Sequence, residues 1–456
     1  MMTMLCLRPI LSKVLLGLLN SSTAAKQIRT MSSLGNKFAL PDKYKGSVTT
    51  VWAEFIQLAL ETKPLNLGQG FPDFAAPEIV TQALKDVANS DNVLLHQYTR
   101  GYGHLRLVNA LSKLYSQKVD RELNPMTNFI TTAGAYEALY CAILGHVTTC
   151  DEVILIEPFF DCYEPMVDAA GGKSVFVPLR PAKTSGKVLS SDWKLDINEL
   201  TSCFTEKTKM IILNTPHNPL GKVFTLEELT VIADLCKKFN VLCISDEVYE
   251  WMVYEPYKHI RIATLPGMWE RTITIGSAGK TFSVTGWKTG WAYGPENLIK
   301  NMQVVHQNIL NSINTPAQEA IAIGLEHEIS KMGSPDCYLV SLARELKEKR
   351  DFMAKFLTEI GMVPIIPEAG YFMVVDWTPL ASKVGLDQES DRYKDYRFAK
   401  WTSRNLKVQG IPPSAFYSVP HKHLGENYIR YCFIKKDENL QKASDILKTW
   451  ANSSKV

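Results

Sequence analysis

From Thr127 to Gly294 the chain repeats one rhythm: a short β-rich apolar run, a turn, then a longer helical pattern. The runs 153–156, 175–177, 210–213, 241–245 and 272–275 are apolar or β-branched throughout rather than alternating. Unbroken apolar runs of that length suit strands buried on both faces, as a parallel sheet under helices requires. Between two of them lies a helical pattern over 226–239, preceded by Thr225 with Glu228 three positions on, a capping-box start. Strand, helix, strand at this spacing predicts an α/β fold with a mostly parallel sheet. After Gly333-Ser334-Pro335 the texture changes. A long charged helix pattern over 339–360, a β-like run over 371–377, a helix near 393–406 and an apolar run over 428–434 predict a smaller α+β domain. The segment 43–60 is expected to pack on that side. The expected division is therefore 1–31, a leader; 32–74, an arm contributing to the small domain; 75–333, the large domain; and 334–456, the small one.

Composition narrows the function. With 456 residues, 46% of them hydrophobic, there is ample chain for a deep core and a buried site. The 50 Lys and Arg against 47 Asp and Glu give a net charge of only +3, too little to argue for nucleic acid or an acidic membrane surface as a partner. The 9 cysteines include no C-x-x-C pair, a pattern of buried thiols in a reducing compartment rather than disulfides or a zinc site, and no metal site is expected. Residues 1–41 contain no acid, carry Arg8, Lys13, Lys26 and Arg29, and hold Ser21, Ser22 and Thr23. That composition predicts a mitochondrial presequence over 1–31 and a matrix location. Lys13 interrupts the apolar stretch, against a secretory signal or a membrane span. Met31 offers a second start, from which a cytosolic form would arise.

Four local cues carry chemistry. Gly276-Ser277-Ala278-Gly279-Lys280-Thr281 follows an apolar strand. It ends like a nucleotide-binding P-loop, but position 274 is Thr where that motif needs Gly. A lysine held at a strand end can instead be a nucleophilic amine, kept neutral by desolvation. Asp246, at the end of the run 241–245 and followed by Glu247-Val248-Tyr249, stands where α/β folds place their ligands. Asn214-Thr215-Pro216-His217-Asn218-Pro219-Leu220-Gly221 is a rigid turn that presents its amides in a set direction. Thr131-Thr132-Ala133-Gly134-Ala135-Tyr136 leads from a β run into a helical pattern, whose first amides can bind phosphate. Each cue alone has an ordinary reading: a solvated loop lysine, a helix cap or ion pair, a good loop, a helix start.

Together, in this order, they resemble the fold-type I pyridoxal-phosphate aminotransferases. The strings Asn66-Leu67-Gly68-Gln69-Gly70-Phe71-Pro72-Asp73, Glu157-Pro158-Phe159-Phe160-Asp161-Cys162-Tyr163, Asp246-Glu247-Val248-Tyr249 and the segment 277–287 are similar to the branch of kynurenine aminotransferases, glutamine transaminase K and cysteine-S-conjugate β-lyases. The likeness covers roughly 40–450. It implies pyridoxal 5′-phosphate as cofactor, amino acid and 2-oxo acid substrates, and a homodimer. Lys280 would bind the cofactor covalently and move a proton, with Asp246 on the pyridine nitrogen and Asn218 and Tyr249 on the ring oxygen. Phe159 would stack on the ring. Gly134, Ala135, Ser277 and Lys288 would cradle the phosphate, with Tyr98 reaching the phosphate of the partner subunit. Arg430 would fork the substrate carboxylate, Gly70 would let its backbone approach the substrate, and Trp52 and Tyr136 would line the pocket. After His306-Gln307-Asn308 the branch has an aromatic residue on the substrate loop, whereas this chain continues Ile309-Leu310-Asn311. That departure touches substrate preference, not reaction type. The resemblance implies transamination of kynurenine, glutamine and other aromatic or sulfur amino acids. β-Elimination from cysteine conjugates, and an inactive cofactor-binding protein, are the alternatives.

Overall fold

The computed structural model describes residues 38–41, 43–44 and 50–453, and Thr49–Val456 is one compact unit. The expected presequence, with Met31, lies outside the described residues.

The apolar runs form the middle of an eight-stranded sheet. Its strands lie in the order Phe129–Thr132, Gly290–Tyr293, Thr272–Ser277, Leu242–Asp246, Thr208–Asn214, Glu152–Glu157, Lys173–Pro181 and Trp193–Leu195. The five from Thr272–Ser277 to Lys173–Pro181 pair in parallel. Gly290–Tyr293 runs against both of its neighbours. Every residue of Leu242–Asp246 and Thr272–Ser277 is buried, which is why these strands carry no polar alternation. The helix Leu226–Phe239 starts at the expected capping box: Thr225 Oγ1 accepts from Glu228 N while the Glu228 carboxylate accepts from Thr225 N. Asn240, in the left-handed conformation, ends it.

A second, four-stranded sheet is built from Tyr428–Cys432, Phe372–Asp376, Val363–Ile366 and Val188–Leu189. The first three stem from the predicted small domain. Val188–Leu189 joins from the middle of the chain, parallel to Val363–Ile366, a two-residue pairing with no sequence signal of its own. The helix Tyr338–Glu359 and the helix Lys394–Trp401, continued by a π-helical turn over Thr402–Leu406, match the two expected helices. The helix Val51–Thr62 packs on this side, as expected: Phe55 meets Tyr396 edge-on, Glu54 pairs with Lys400, and Gln409 Nε2 donates to Phe55 O. The strand Leu65–Asn66 pairs with Val408–Gln409. The eight cysteines among the described residues are all free. No described helix is long and apolar enough to cross a membrane.

Candidate active site

The parallel strands all point their carboxyl ends the same way, and register aligns those ends. Asn214 lies opposite Asp246, and Asp246 opposite Ile275, two residues short of Ser277. Here the strands open into a cavity of about 360 Å³. Lys280, Asp246, Tyr249, Asn218, Ser277 and Lys288 line it, as do Gly134, Ala135, Gly70, Trp52, Tyr136 and Arg430. Residues separated by hundreds of positions thus meet at one strand edge, where open α/β sheets bind ligands.

Lys280 sits in the short helix Ala278–Thr281, directly after Ser277. Its Nζ donates to Tyr371 Oη at 2.6 Å and reaches Gly70 O at 3.5 Å. Burial pushes its pKa down to about 8, helped by Arg430 and Lys288 and opposed by Cys432 and Asp246. Such an amine is available in its neutral, nucleophilic form near physiological pH.

Asp246 is buried, and its carboxylate accepts from Tyr163 Oη at 2.6 Å and from Val248 N at 3.4 Å. Burial lifts its pKa to about 6, with Tyr163 and Val248 N pulling the other way. Among the described residues no lysine or arginine pairs with it. The neighbouring Glu247 points elsewhere, into an ion pair with Arg261 and a 2.7 Å bond with His259. Of the two adjacent carboxylates, only Asp246 is left for a cation in the cavity.

Arg430 is fully buried on Tyr428–Cys432. Nη1 donates to Asn218 Oδ1 at 3.1 Å and Nη2 to Gly68 O at 3.0 Å, and the guanidinium lies 3.9 Å from the centre of the Phe372 ring. No carboxylate forms a salt bridge with it among the described residues, so the ordinary reading of a buried ion pair does not hold. Burial lowers its pKa to about 10. A desolvated guanidinium with neutral partners is matched to an incoming carboxylate.

At the other end, the helix Gly134–Leu144 begins beside Lys288. A Cβ on Gly134, whose φ is +78°, would sit 3.3 Å from Lys288 Nζ, and one on Gly290 would sit 2.5 Å from Ala135 N. Bare backbone is therefore required where amides, an ammonium and the Ser277 hydroxyl converge, an arrangement suited to a phosphate. Glu137 braces this turn: its carboxylate accepts from Ala133 N and bonds His306 Nδ1 at 2.7 Å, while His306 Nε2 faces Gly101 O at 3.0 Å. A phosphate seat, a buried unpaired carboxylate and a lysine of low basicity in one cavity fit the residue set expected for pyridoxal phosphate.

Residues 62–447 match the family described as aminotransferase class I and II. The chain belongs to this family. It is 50% identical to kynurenine–oxoglutarate transaminase 3 of Mus musculus over 95% of each chain. It is 45% identical to kynurenine–oxoglutarate transaminase 1 of Homo sapiens, over 88% of this chain and 95% of that one. The solved structure of Bna3p from Saccharomyces cerevisiae superposes with a TM-score of 0.84 at 33% identity, covering 91% of this aminotransferase and 99% of Bna3p.

Two expectations about the aminotransferase's cavity need revision, those for Phe159 and Asn311. Phe159 does not line it; it is buried, stacks on Phe176 at 5.8 Å and donates its backbone N–H to Phe416 O. Phe160, the next residue, lines the cavity and meets Tyr136 edge-on. In the turn after the strand Glu152–Glu157 the two side chains point to different sides, and of the two only Phe160 borders the cavity. Tyr98, expected to act outside its own chain, is 91% exposed and does not line this cavity. Asn311, expected near the pocket, occupies an exposed turn with φ of +68° outside the lining of the cavity. Two residues were missed. Asn214 lines the cavity and donates to Asp246 O at 3.0 Å, a role its place at the head of the amide turn could have signalled. Tyr371 meets Lys280 from 91 positions away, and no local pattern announces it.

Proposed function

We propose that this aminotransferase binds pyridoxal 5′-phosphate and moves the amino group of kynurenine, glutamine and other aromatic or sulfur amino acids to a 2-oxo acid, converting kynurenine to kynurenic acid. The observation that carries the reading is the cavity's charge pattern: Asp246 and Arg430 are buried without ion-pair partners among the described residues, and both act on the depressed Lys280 amine in the same cavity. The names of the two relatives and the aromatic wall of Trp52, Tyr136 and Phe160 support kynurenine as a donor.

Bound pyridoxal phosphate supplies an electron sink for the pair left when the substrate Cα loses its proton. The chain's residues do the rest. Asp246 holds the proton on the ring nitrogen. Gly134, Ala135, Ser277 and Lys288 would hold the phosphate, Asn218 and Tyr249 the ring oxygen, and Phe160 would pack against the ring. Lys280 would hold the cofactor covalently and, once the substrate amine has displaced it, would accept the Cα proton on Nζ and deliver it to the cofactor carbon joined to the substrate nitrogen, two atoms from Cα. Arg430 fixes the substrate carboxylate and so aims its Cα–H bond. Gly70 carries no Cβ, which would fall 2.4 Å from Phe372 Cζ, and its backbone can therefore close on the substrate. Tyr98 acts on the phosphate in the partner subunit of a homodimer; its exposure supports this. The acid-free leader supports a mitochondrial location, with a cytosolic form from Met31.

The test is a visible absorption band in the purified protein, borohydride trapping of that cofactor on Lys280, and a panel of amino donors against several 2-oxo acids. Absence of transamination from every donor, in protein that carries the cofactor, would overturn the proposal.

A further inference from the structure

Tyr371 is buried, one residue before the strand Phe372–Asp376, and its hydroxyl stands at the centre of a three-atom chain. Lys280 Nζ lies 2.6 Å from Tyr371 Oη, and Tyr371 Oη lies 3.0 Å from Gly70 O. A carbonyl only accepts, so the Tyr371–Gly70 bond uses the single phenolic proton. The Tyr249 hydroxyl, which also borders that of Tyr371, can compete for this proton but leaves the same result. Tyr371 must then accept from Lys280, because it has no second proton to donate. Were the bond reversed, the phenol would occupy the lone pair of a neutral amine.

We propose that Tyr371 is a positioning residue for the amine of Lys280: it accepts one N–H and so leaves the nitrogen lone pair free to face the cavity. The inference rests on the reading of Lys280 as the proton-moving amine. When Lys280 takes the Cα proton, the nitrogen becomes an ammonium with three hydrogens. Tyr371 Oη and Gly70 O accept two of them, and the third is the one delivered. The glycine is part of the device, since a Cβ at position 70 would lie 3.1 Å from Tyr371 Cε2 as well as striking Phe372.

The variant Tyr371→Phe removes the hydroxyl and keeps the ring that packs against Tyr249 and Phe372. It should still bind pyridoxal phosphate and give the borohydride-trapped adduct on Lys280. The kcat should fall about 10- to 100-fold, the scale of a base held in the wrong place, with KM nearly unchanged. The primary isotope effect with an α-deuterated amino acid should rise. In cofactor-free protein, the pH midpoint for Lys280 acylation, followed by mass spectrometry, should drop, because the charged amine loses an acceptor. The other groups facing the amine, Asp246, Arg430, Lys288, Tyr249 and Cys432, are unchanged in the variant. Unchanged kcat, isotope effect and midpoint, or a lower melting temperature alone, would overturn the assignment to Tyr371 while leaving the aminotransferase reading intact. A wild-type protein whose Lys280 forms no adduct would overturn both.

Discussion

Replacing Arg430 with lysine separates charge from geometry at the substrate carboxylate. The guanidinium is held by Asn218 Oδ1, Gly68 O and the face of Phe372, and these fix the plane in which its fork meets a ligand. Lysine keeps the charge, offers one nitrogen on a flexible stem and cannot grip both carboxylate oxygens. Breaking a buried, hydrogen-bonded charge pair costs about 2–5 kcal/mol. With the charge retained, the lower part of that range applies, and ~2–3 kcal/mol corresponds to about a 30- to 150-fold loss in kcat/KM. The loss should be common to kynurenine, glutamine, methionine and the 2-oxo acids, because all present the same group. Decarboxylated amines should lose little beyond their already poor rate. One lysine nitrogen does not reproduce the spacing of the two guanidinium nitrogens that serve Asn218 Oδ1 and Gly68 O, and a buried acceptor left unpaired costs roughly 1–3 kcal/mol, so the melting temperature should also fall. The cofactor band should stay. If Arg430→Lys impaired kynurenine and spared glutamine, Arg430 would be a side-chain specificity contact; if it stripped the cofactor, a structural one. Either result refutes the carboxylate assignment.

Lys280→Ala should abolish transamination and the borohydride adduct while leaving non-covalent cofactor binding. Lys280→Met should also stabilise the cofactor-free protein at pH 7. The unfolded lysine protonates below its ordinary value of 10.5 and the folded one only near 8, so the charge opposes folding at low pH; thermal scans should show the advantage vanish as pH rises past 10.5. Asp246 titrates near 6 in the cofactor-free cavity, so pyridoxal phosphate affinity, followed by absorbance, should weaken as pH falls through 6, and Asp246→Asn should lose this dependence along with ~10²–10³-fold in kcat. Phe159→Ala should cost about 3–5 kcal/mol in denaturant unfolding as a core truncation, whereas Phe160→Ala should weaken cofactor binding by the ~0.5–1.5 kcal/mol of a lost ring contact. A reporter fused to residues 1–40 should enter mitochondria and one beginning at Met31 should stay cytosolic; secretion of the first would refute the targeting reading.

What the sequence made legible is what local physics determines. Strands buried on both faces read as unbroken apolar runs, and the helix Leu226–Phe239 announced itself through Thr225 and Glu228. Asp246, Asn218 and Lys280 were legible because each ends a strand or occupies the turn after one, and parallel strands bring such ends together whatever else the chain does. The failures are of another kind. Nothing local decides which of Phe159 and Phe160 faces the cavity; the turn that carries them is tied to a distant segment, Phe159 N donating to Phe416 O. Nor could Tyr371 be linked to Lys280, or Val188–Leu189 to the second sheet, because each depends on how distant segments dock.

Arg430 shows how the two kinds of information join. Its strand position was legible, but its missing counter-charge was not. The backbone of Arg430 bridges Ile411, its guanidinium reaches Gly68 O, and Val374 lies opposite it in the sheet. Three separate segments thus enclose one charge and supply only neutral hydrogen-bond partners, with the Asp161 carboxylate acting on it from beyond pairing distance. The same holds for Asp246, closed in by Tyr163 and Val248 N. A buried charge without an ion-pair partner opposes folding. Two of opposite sign, kept apart across one cavity when contact would have neutralised both, are hard to explain as architecture. They become intelligible as halves of interactions that ligands complete: a protonated ring nitrogen for Asp246 and a carboxylate for Arg430. Ligand binding at the cavity should therefore stabilise the whole fold, not only the residues it touches.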